Sequence, residues 1–264
     1  MRLLTIALMC ASLGAAQTAQ EKGKRLADEM LAALGGEKFL SMRDRAETGR
    51  AYSFYNDQLR GLSVAKIYTR YVTRPEPPAA GFFGLRERQA FGKNEDSAVL
   101  FTEDGKGWQI TFRGARPVPE ETLARYREST LRNVFYILRQ RLGEPGLLFD
   151  FRRSDVWSNM AVDVVDITDS NNLVTTVFVQ QTTKLPVRQE FIRRDPKTRD
   201  RFEEVTVFSK YRETGGVQWP HVIQRERNGE KLFEMYAESV TVNQGLTDEL
   251  FTLPVSMKLL RPAR

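Results

Sequence analysis

Two reactive residue types are almost absent from this sequence. Cys10 and His221 are the only cysteine and the only histidine among 264 residues. A zinc site of the usual cysteine and histidine type is therefore excluded, and so is a disulfide framework. Beyond the first residues no stretch approaches the ~20 consecutive apolar residues of a membrane helix. We expect neither a metal nor any other cofactor.

The first residues have the pattern of a cleavable export signal. Met1-Arg2 gives a positive start, an apolar run extends from Leu3 to Leu13, and small residues precede Gln17. This run is too short for a permanent membrane anchor. We predict a signal peptide over 1–16 and an exported mature chain without any thiol. Acylation of Cys10 is the less favoured alternative, because no small residues directly precede it.

Charge argues against a nucleic-acid partner. The 40 Lys and Arg residues are nearly matched by 34 Asp and Glu residues, which leaves a net charge of +6. The two signs are interleaved along the chain, whereas nucleic-acid binding requires a clustered basic face. A mild attraction to anionic membrane surfaces is the better interpretation.

Hydrophobic periodicity predicts a mainly β protein with two substantial helices. The stripe of apolar residues over 21–34 predicts a helix that the paired glycines Gly35-Gly36 end. Twelve segments alternate apolar and polar residues as half-buried strands do. They are 50–55, 62–72, 85–91, 98–102, 108–112, 147–152, 162–167, 174–180, 186–193, 202–211, 217–227 and 232–242. Twelve strands are too many for a flat open sheet, so we expect curling or closure.

The second helix is predicted over 120–142. Apolar residues recur there at three- and four-residue spacing, and Pro119 and Gly143 bound the segment. Five arginines are expected to project away from the apolar stripe: Arg125, Arg127, Arg132, Arg139 and Arg141. A helix with one apolar stripe must cover one face of the sheet or the mouth of an incomplete barrel. No linker is long enough to force a domain boundary, so residues 17–264 are expected to form one domain.

No catalytic motif is present. His221 lies between Pro220 and Val222 on a predicted strand, and no serine has a nucleophile-elbow glycine pattern. Paired carboxylates occur at Asp163 with Asp166, Glu203 with Glu204, and Asp248 with Glu249. Neighbouring strand residues such as Glu203 and Glu204 point to opposite faces, and solvated positions explain the other pairs. We therefore expect a protein that is not an enzyme.

Aromatic side chains are abundant in strands that also carry many charges. A many-stranded curved sheet can leave an interior that its own side chains do not fill, and an apolar lining would select an apolar ligand. Ordinary core packing is the alternative for the same residues. The candidate lining residues are Tyr68, Tyr71, Phe91, Trp108, Phe135, Leu138, Phe208, Trp219 and Phe233.

The order of elements resembles a known family, the periplasmic outer-membrane lipoprotein-sorting carriers of the LolA/LolB-like type. The matching features are the helix before the first strands, Arg74-Pro75 after the second strand, and Asp104-Gly105-Lys106 leading into Trp108. A helical insertion, a late hairpin meander and the closing segment over 246–254 complete the resemblance. It covers about 21–254.

The resemblance implies a strongly curved antiparallel sheet, or incomplete β-barrel, with a helical lid over an apolar cavity for acyl chains. It places Arg74 at the position where a basic residue helps to latch the lid. It also implies a periplasmic location, with possible outer-membrane association, and a membrane-bound donor or acceptor protein as a possible partner. We expect a monomer.

Two functions remain open from the sequence. The first is a non-enzymatic periplasmic carrier that binds a lipid or the acyl chains of a lipoprotein. The second is an exported structural or protein-interaction module whose curved sheet is filled by its own side chains. A secreted hydrolase built on His221 or a carboxylate pair is the least favoured interpretation.

Overall fold

The computed structural model describes residues 17–73, 82–195 and 197–262. The expected leader, Arg74 and the proline-rich connection after it lie outside these residues. The helices are α1 (Ala19–Leu34), α2 (Glu37–Leu40), α3 (Glu120–Leu131) and α4 (Val134–Tyr136), with a π-helical turn at Ile137–Arg141 and a 3-10 turn at Asp248–Phe251. No helix in these ranges is both long and apolar enough to cross a membrane.

Thirteen antiparallel strands form one sheet. They are β1 (Asp44–Tyr55), β2 (Gln58–Tyr71), β3 (Leu85–Phe91), β4 (Ser97–Phe101), β5 (Gly107–Thr111), β6 (Gly114–Pro117), β7 (Leu148–Trp157), β8 (Met160–Thr168), β9 (Val174–Gln180), β10 (Pro186–Arg194), β11 (Arg201–Thr214), β12 (Val217–Arg227) and β13 (Glu230–Val242). Their order is β6-β5-β4-β3-β2-β1-β13-β12-β11-β10-β9-β8-β7, so β6 and β7 are the edges of an open sheet.

The mainly β prediction is confirmed, and all twelve predicted strands are present. The sequence missed the short strand β6, and it placed the start of β1 six residues too late. Asp44, Arg45 and Glu47 belong to β1 and are buried, although their polarity is typical of a loop. The turn at Asp104-Gly105 joins β4 to β5 as expected, with a hydrogen bond from the Gly105 N–H to the Thr102 carbonyl.

The sheet is strongly curved, and side chains from non-neighbouring strands meet on its concave face. The guanidinium of Arg45 on β1 stacks 3.9 Å from the ring centre of Trp219 on β12, although β13 lies between these strands. Helices α1, α2 and α4 pack on the same face, over β7 to β13. Their apolar side chains and those of the sheet form the main core, which includes Met30, Phe39 and Phe208.

Helix α1 ends at glycine, as its sequence predicted, and it begins at a capping box. The Thr18 side chain accepts from the Glu21 N–H while the Glu21 carboxylate accepts from the Thr18 N–H, which satisfies two helix-end donors. Gly35 has a φ of 121°, a conformation that favours glycine at the helix end. Four of the buried residues on its inner stripe pack into the main core: Leu26, Ala27, Met30 and Leu34.

The convex face is covered at the other end of the sheet. There the C-terminal segment, residues 246–260, lies over β2 to β6, and Phe251 is 1% exposed among Ala90, Leu100 and Ile110. The same segment protects the β6 edge, because the Ala115 N–H donates to the Lys258 carbonyl at 2.9 Å. Opposite faces are therefore covered at the two ends of the sheet.

The single helix predicted over 120–142 is wrong. The chain breaks after α3, and Asn133 caps the next helix by accepting from the Phe135 and Tyr136 N–H groups at 3.0 and 3.3 Å. Asparagine favours such caps over helix interiors because its short amide competes for backbone hydrogen bonds. The apolar periodicity continues across the break, so the sequence pattern did not show it.

The arginines of this region do not all project away from the core. Arg132 and Arg141 are 5% and 8% exposed. Arg141 donates to Glu144 at 2.6 Å and to Asp169 at 3.1 Å, and Arg132 stacks 4.7 Å from the ring centre of Phe191. Their expected orientation is therefore wrong, because Glu144 and Asp169 compensate the charge of Arg141, while Glu128 and the ring of Phe191 stabilise that of Arg132.

Candidate functional site on the concave face

A buried polar cluster lies at the centre of the concave face. Arg45 donates to the Glu47 carboxylate at 2.8 Å, to the Tyr71 hydroxyl at 3.0 Å and to the Thr69 hydroxyl at 3.1 Å. Burial acts to lower the pKa of Arg45, but Glu47, Tyr71 and Glu87 together outweigh it, so the pKa is raised. The pair is thus held charged inside the protein, where loss of one partner would leave an uncompensated ion.

Glu87 lies beside this cluster without forming an ion pair within the described residues. Burial is the main cause that raises the pKa of its carboxyl, while Gln89 donates to it at 2.5 Å. Its charge interacts with Arg225 although three strands separate β3 from β12, another consequence of the curvature. Burial also raises the pKa of the Tyr126 hydroxyl on α3, which interacts with Thr130 and with Glu87.

An apolar floor occupies the same face toward the β1–β2 hairpin. Cross-strand pairing places Ala51 opposite Met235 and Ala65 opposite Phe91. Ala51, Ala65 and Met235 are buried, whereas the other large apolar side chains of this region are half-buried. The apolar floor consists of Ala51, Ala65, Ile67, Phe91, Phe233 and Met235. None of the described helices contributes an apolar side chain to this cluster, and three of its members keep part of their surface exposed.

Arginines on β10 and β12 border the apolar floor, on either side of Glu204 on β11. The Nε atoms of Arg193 and Arg227 both donate to the same Glu204 oxygen, at 3.0 and 2.9 Å. Arg225 is exposed, stacks 5.9 Å from the ring centre of Phe233 and forms no ion pair with any described residue. These three guanidinium groups are defined here as the arginine border, and Glu204 is the carboxylate with which two of them form ion pairs.

Two small cavities lie beside the helices. A cavity of about 10 Å³ lies between the β4–β5 turn and α3, and another of about 90 Å³ lies beside Tyr136 and Gln140. Pockets that hold small ligands usually measure ~300–1,000 Å³. Neither of these two cavities accepts an acyl chain as it stands, so a ligand would use the open floor or displace a covering element.

Helix α3 is the covering element with the weakest attachment. Each of its twelve residues keeps part of its surface exposed, although the Tyr126 hydroxyl itself is buried. Its main anchor is Tyr126, whose ring stacks on Phe101 with centres 3.5 Å apart and lies 5.7 Å from the ring of Phe83. Small buried apolar area means a small free energy of local opening. We call α3 the lid helix.

The nine candidate lining residues do not form one surface. Phe135, Leu138, Phe208 and Trp219 belong to the filled main core, with Tyr71 at its border. Phe91 and Phe233 lie at the rim of the apolar floor. Tyr68 and Trp108 pack on the convex face against the C-terminal segment. Two of the nine therefore lie where a ligand could reach the uncovered floor.

Sequence reasoning missed the charged residues of the concave face. Arg45, Glu47, Glu87 and Arg225 alternate with other residues along their strands, and such polar positions usually face solvent. The only available signal was the unusual number of charges in strands rich in aromatics. Strand curvature, which the local pattern does not encode, turns these positions inward.

The residues considered for catalysis have structural partners. His221 is buried, and its Nδ1 lies 2.8 Å from the Ala237 carbonyl. Asp163 accepts from Ser154 and Gln181, and Asp166 accepts from Thr176. These contacts give both aspartates roles in strand pairing.

Comparison with known proteins identifies the fold. No family model and no curated protein matches the chain. A domain described as an outer membrane lipoprotein-sorting protein, from Vibrio parahaemolyticus, has a TM-score of 0.56 at 14% identity, covering 88% of this chain and 97% of that one. A DUF1329 family protein from Desulfovibrio piger has a TM-score of 0.60 at 12% identity, covering 89% and 98%.

A LolA superfamily protein from Nitrosomonas europaea also matches, with a TM-score of 0.51 at 12% identity over 90% of this chain and 99% of that one. The chain thus has the open, curved-sheet architecture of the LolA-like proteins. The resemblance seen in the sequence is confirmed at the level of the fold.

Proposed function

We propose that the protein is a non-catalytic, exported carrier that holds an acyl chain of a lipid or lipoprotein on its apolar floor, with α3 as the lid. The observation that carries the proposal is a half-buried apolar floor on the concave face beside a helix without buried residues. Removing about eight methylene groups from water would contribute ~6 kcal/mol at ~0.8 kcal/mol each. Release then requires a membrane or an acceptor protein that offers equal burial.

Movement of the lid helix would enlarge the apolar surface. Opening would separate Tyr126 from Phe101 and Phe83 and connect that aromatic cluster to the concave face. The lid bears Glu128, which forms an ion pair with Arg132 at 3.4 Å. Burial raises the pKa of Glu128, so the closed lid holds a carboxylate in an unfavourable environment.

The lid can be tested by cross-linking. Lys106 and Leu123 line the same small cavity between the β4–β5 turn and α3. In a Cys10→Ser background, Lys106→Cys with Leu123→Cys would be joined by a short bismaleimide. We expect the cross-linked protein to take up a neutral fluorescent acylglycerol at least tenfold more slowly than the same variant before cross-linking.

The control pair is Lys24→Cys with Asp28→Cys, one turn apart on the exposed face of α1. Cross-linking there should leave uptake unchanged. Unchanged uptake after locking α3 would show that α3 is not the lid. Absence of uptake by the unmodified protein, together with no bound acyl chain in native mass spectrometry of protein from its own envelope, would overturn the carrier proposal.

The filled main core favours one alternative function. An exported protein-interaction module would need no ligand cavity, and neither cavity described above is large enough for one. The same mass spectrometry and uptake measurements separate the two functions, because a module of this kind would bind no acyl probe.

A further inference from the structure

We propose that the arginine border selects amphiphiles with an anionic head group, whose acyl chain lies on the apolar floor and whose negative oxygen pairs with Arg225. This inference rests on the proposed carrier function and names its ligand class. The shared chemistry is a carboxylate or phosphate oxygen at one end of an acyl chain.

The charge balance of the border supports an anion. Glu204 is the carboxylate that Arg193 and Arg227 share, and both use their Nε atoms on one of its oxygens. Arg193 is buried at 9% exposure, so its charge has little water to stabilise it. Buried positive charge without a full set of negative partners is costly, and an anionic ligand would offset that cost.

Arg225 is the arginine of the border that is positioned to bind the anionic head group. It lies on the concave face, paired across the strands with Phe233 at the rim of the apolar floor. Its side chain is exposed, and it keeps its donors available because no described residue forms an ion pair with it. A guanidinium presents several N–H donors in a planar fork that suits carboxylate and phosphate oxygens.

The other carboxylates near the arginine border do not cancel its excess positive charge. Glu128 on the lid helix interacts with Arg193, but its own ion pair is with Arg132. Glu87 faces Arg225 from β3 without reaching ion-pair distance. An acyl chain on the floor would place its terminal head group between Phe233 and Arg225, on the side away from the main core.

The test compares three ligands with the same sixteen-carbon chain: palmitate, lysophosphatidic acid and neutral monopalmitoylglycerol. Their dissociation constants would be measured below micelle-forming concentrations by displacement of the neutral fluorescent acylglycerol. We expect both anionic ligands to bind about tenfold more tightly than the neutral one, as a charge-assisted hydrogen bond would give. The variant Arg225→Gln should lose this preference and keep its affinity for monopalmitoylglycerol.

Arg50→Gln is the matched control, because Arg50 lies on the convex face of β1 and is 57% exposed beside Glu238. It should bind all three ligands as the unaltered protein does. A larger loss for palmitate or for lysophosphatidic acid would identify a carboxylate or a phosphate as the preferred head group. Equal binding of charged and neutral ligands, or an equal loss for all three in Arg225→Gln, would overturn the inference while leaving the carrier function standing. If no ligand binds the unaltered protein, the carrier function itself fails.

Discussion

Single residues on the concave face show how this fold tolerates charge in its interior. Arg45 and Glu47 satisfy each other and use Thr69 and Tyr71 for the remaining donors. Glu87 accepts a hydrogen bond from the Gln89 amide and interacts with the Tyr126 hydroxyl, but it forms no ion pair with any described residue. A buried carboxylate without a cation is destabilising in its ionised form. Glu87 is therefore a position where stability is expected to depend on pH.

The substitution Glu87→Gln should stabilise the protein at neutral pH. Burial raises the folded-state pKa of Glu87 above the ordinary 4.5, so the folded state binds its proton more tightly than the unfolded state does. Below the ordinary pKa both states are protonated and the substitution gains nothing. As pH rises through the folded pKa, the unaltered protein loses stability that the glutamine variant keeps.

Urea unfolding of both proteins at pH 4 and pH 7.5 measures this difference. Glu121→Gln on α3, where the side chain is 74% exposed, is the control and should change stability by less than ~0.5 kcal/mol at either pH. A gain from Glu87→Gln that is the same at both pH values would contradict the prediction.

The sequence could not have identified these positions from their local pattern. Residues 45, 47, 87 and 225 look like the solvent-facing half of an alternating strand. Burial comes from strands that are distant in the chain, as the contact of Arg45 with Trp219 shows. At the residue scale the sequence therefore did not indicate which charged positions face the concave side of the sheet.

At the scale of the elements, the backbones of α1 and β7 pack in close contact at Gly23. A Cβ built on Gly23 would lie 2.3 Å from the Phe149 carbonyl oxygen on β7 and 2.9 Å from the Asp150 nitrogen. Only glycine allows α1 to pack this closely on the β7 edge. Helix propensity alone would favour alanine by ~1 kcal/mol, so two physical effects oppose each other at this position.

We expect packing to win, so that Gly23→Ala destabilises the protein by ~1–3 kcal/mol, the usual cost of overpacking. The measurement is the free energy of unfolding in urea. Gly143→Ala is the control, because no atom lies within 4 Å of its Cβ position. A stabilised Gly23→Ala variant would mean that α1 is free to shift on the sheet.

The hydrophobic periodicity predicted the bounds of some helices and strands correctly and those of others incorrectly. The helix over 21–34 and the strands over 174–180 and 217–227 agree closely with α1, β9 and β12. The segment over 120–142 shows the same period but serves two packing environments. Asn133 separates them, and its capping hydrogen bonds decide the break.

At the scale of the whole molecule, the helices and the C-terminal segment pack on opposite faces of one sheet. Helices protect the concave face over β7 to β13, and the C-terminal segment protects the convex face over β2 to β6. Asp44 ties that segment down by accepting from the Gln244, Gly245 and Leu246 N–H groups at 2.7 to 3.3 Å. The two ends of the sheet should therefore open independently.

The variant Phe251→Ala tests this independence. Loss of a phenylalanine that is 1% exposed should cost ~3–5 kcal/mol of local stability. Hydrogen exchange should become faster in β3 to β6 and stay unchanged in β8 to β11. Val255→Ala, at a fully exposed position in the same segment, should leave exchange unchanged. Faster exchange over the whole sheet would show that the molecule opens as one unit.

The sequence by itself determined the mainly β fold class, the order of the strands along the chain and the position of the first helix. These features depend on the local alternation of apolar and polar residues, which can be recognised without knowing which residues contact each other in the fold. The tertiary structure decided which strand faces are concave, which charges are buried and which apolar surface stays uncovered. Those properties arise from curvature over thirteen strands and from contacts between residues up to about two hundred positions apart, such as Asp44 with Gly245. Local periodicity reports that a strand has two faces, but only long-range packing assigns one of them to the interior.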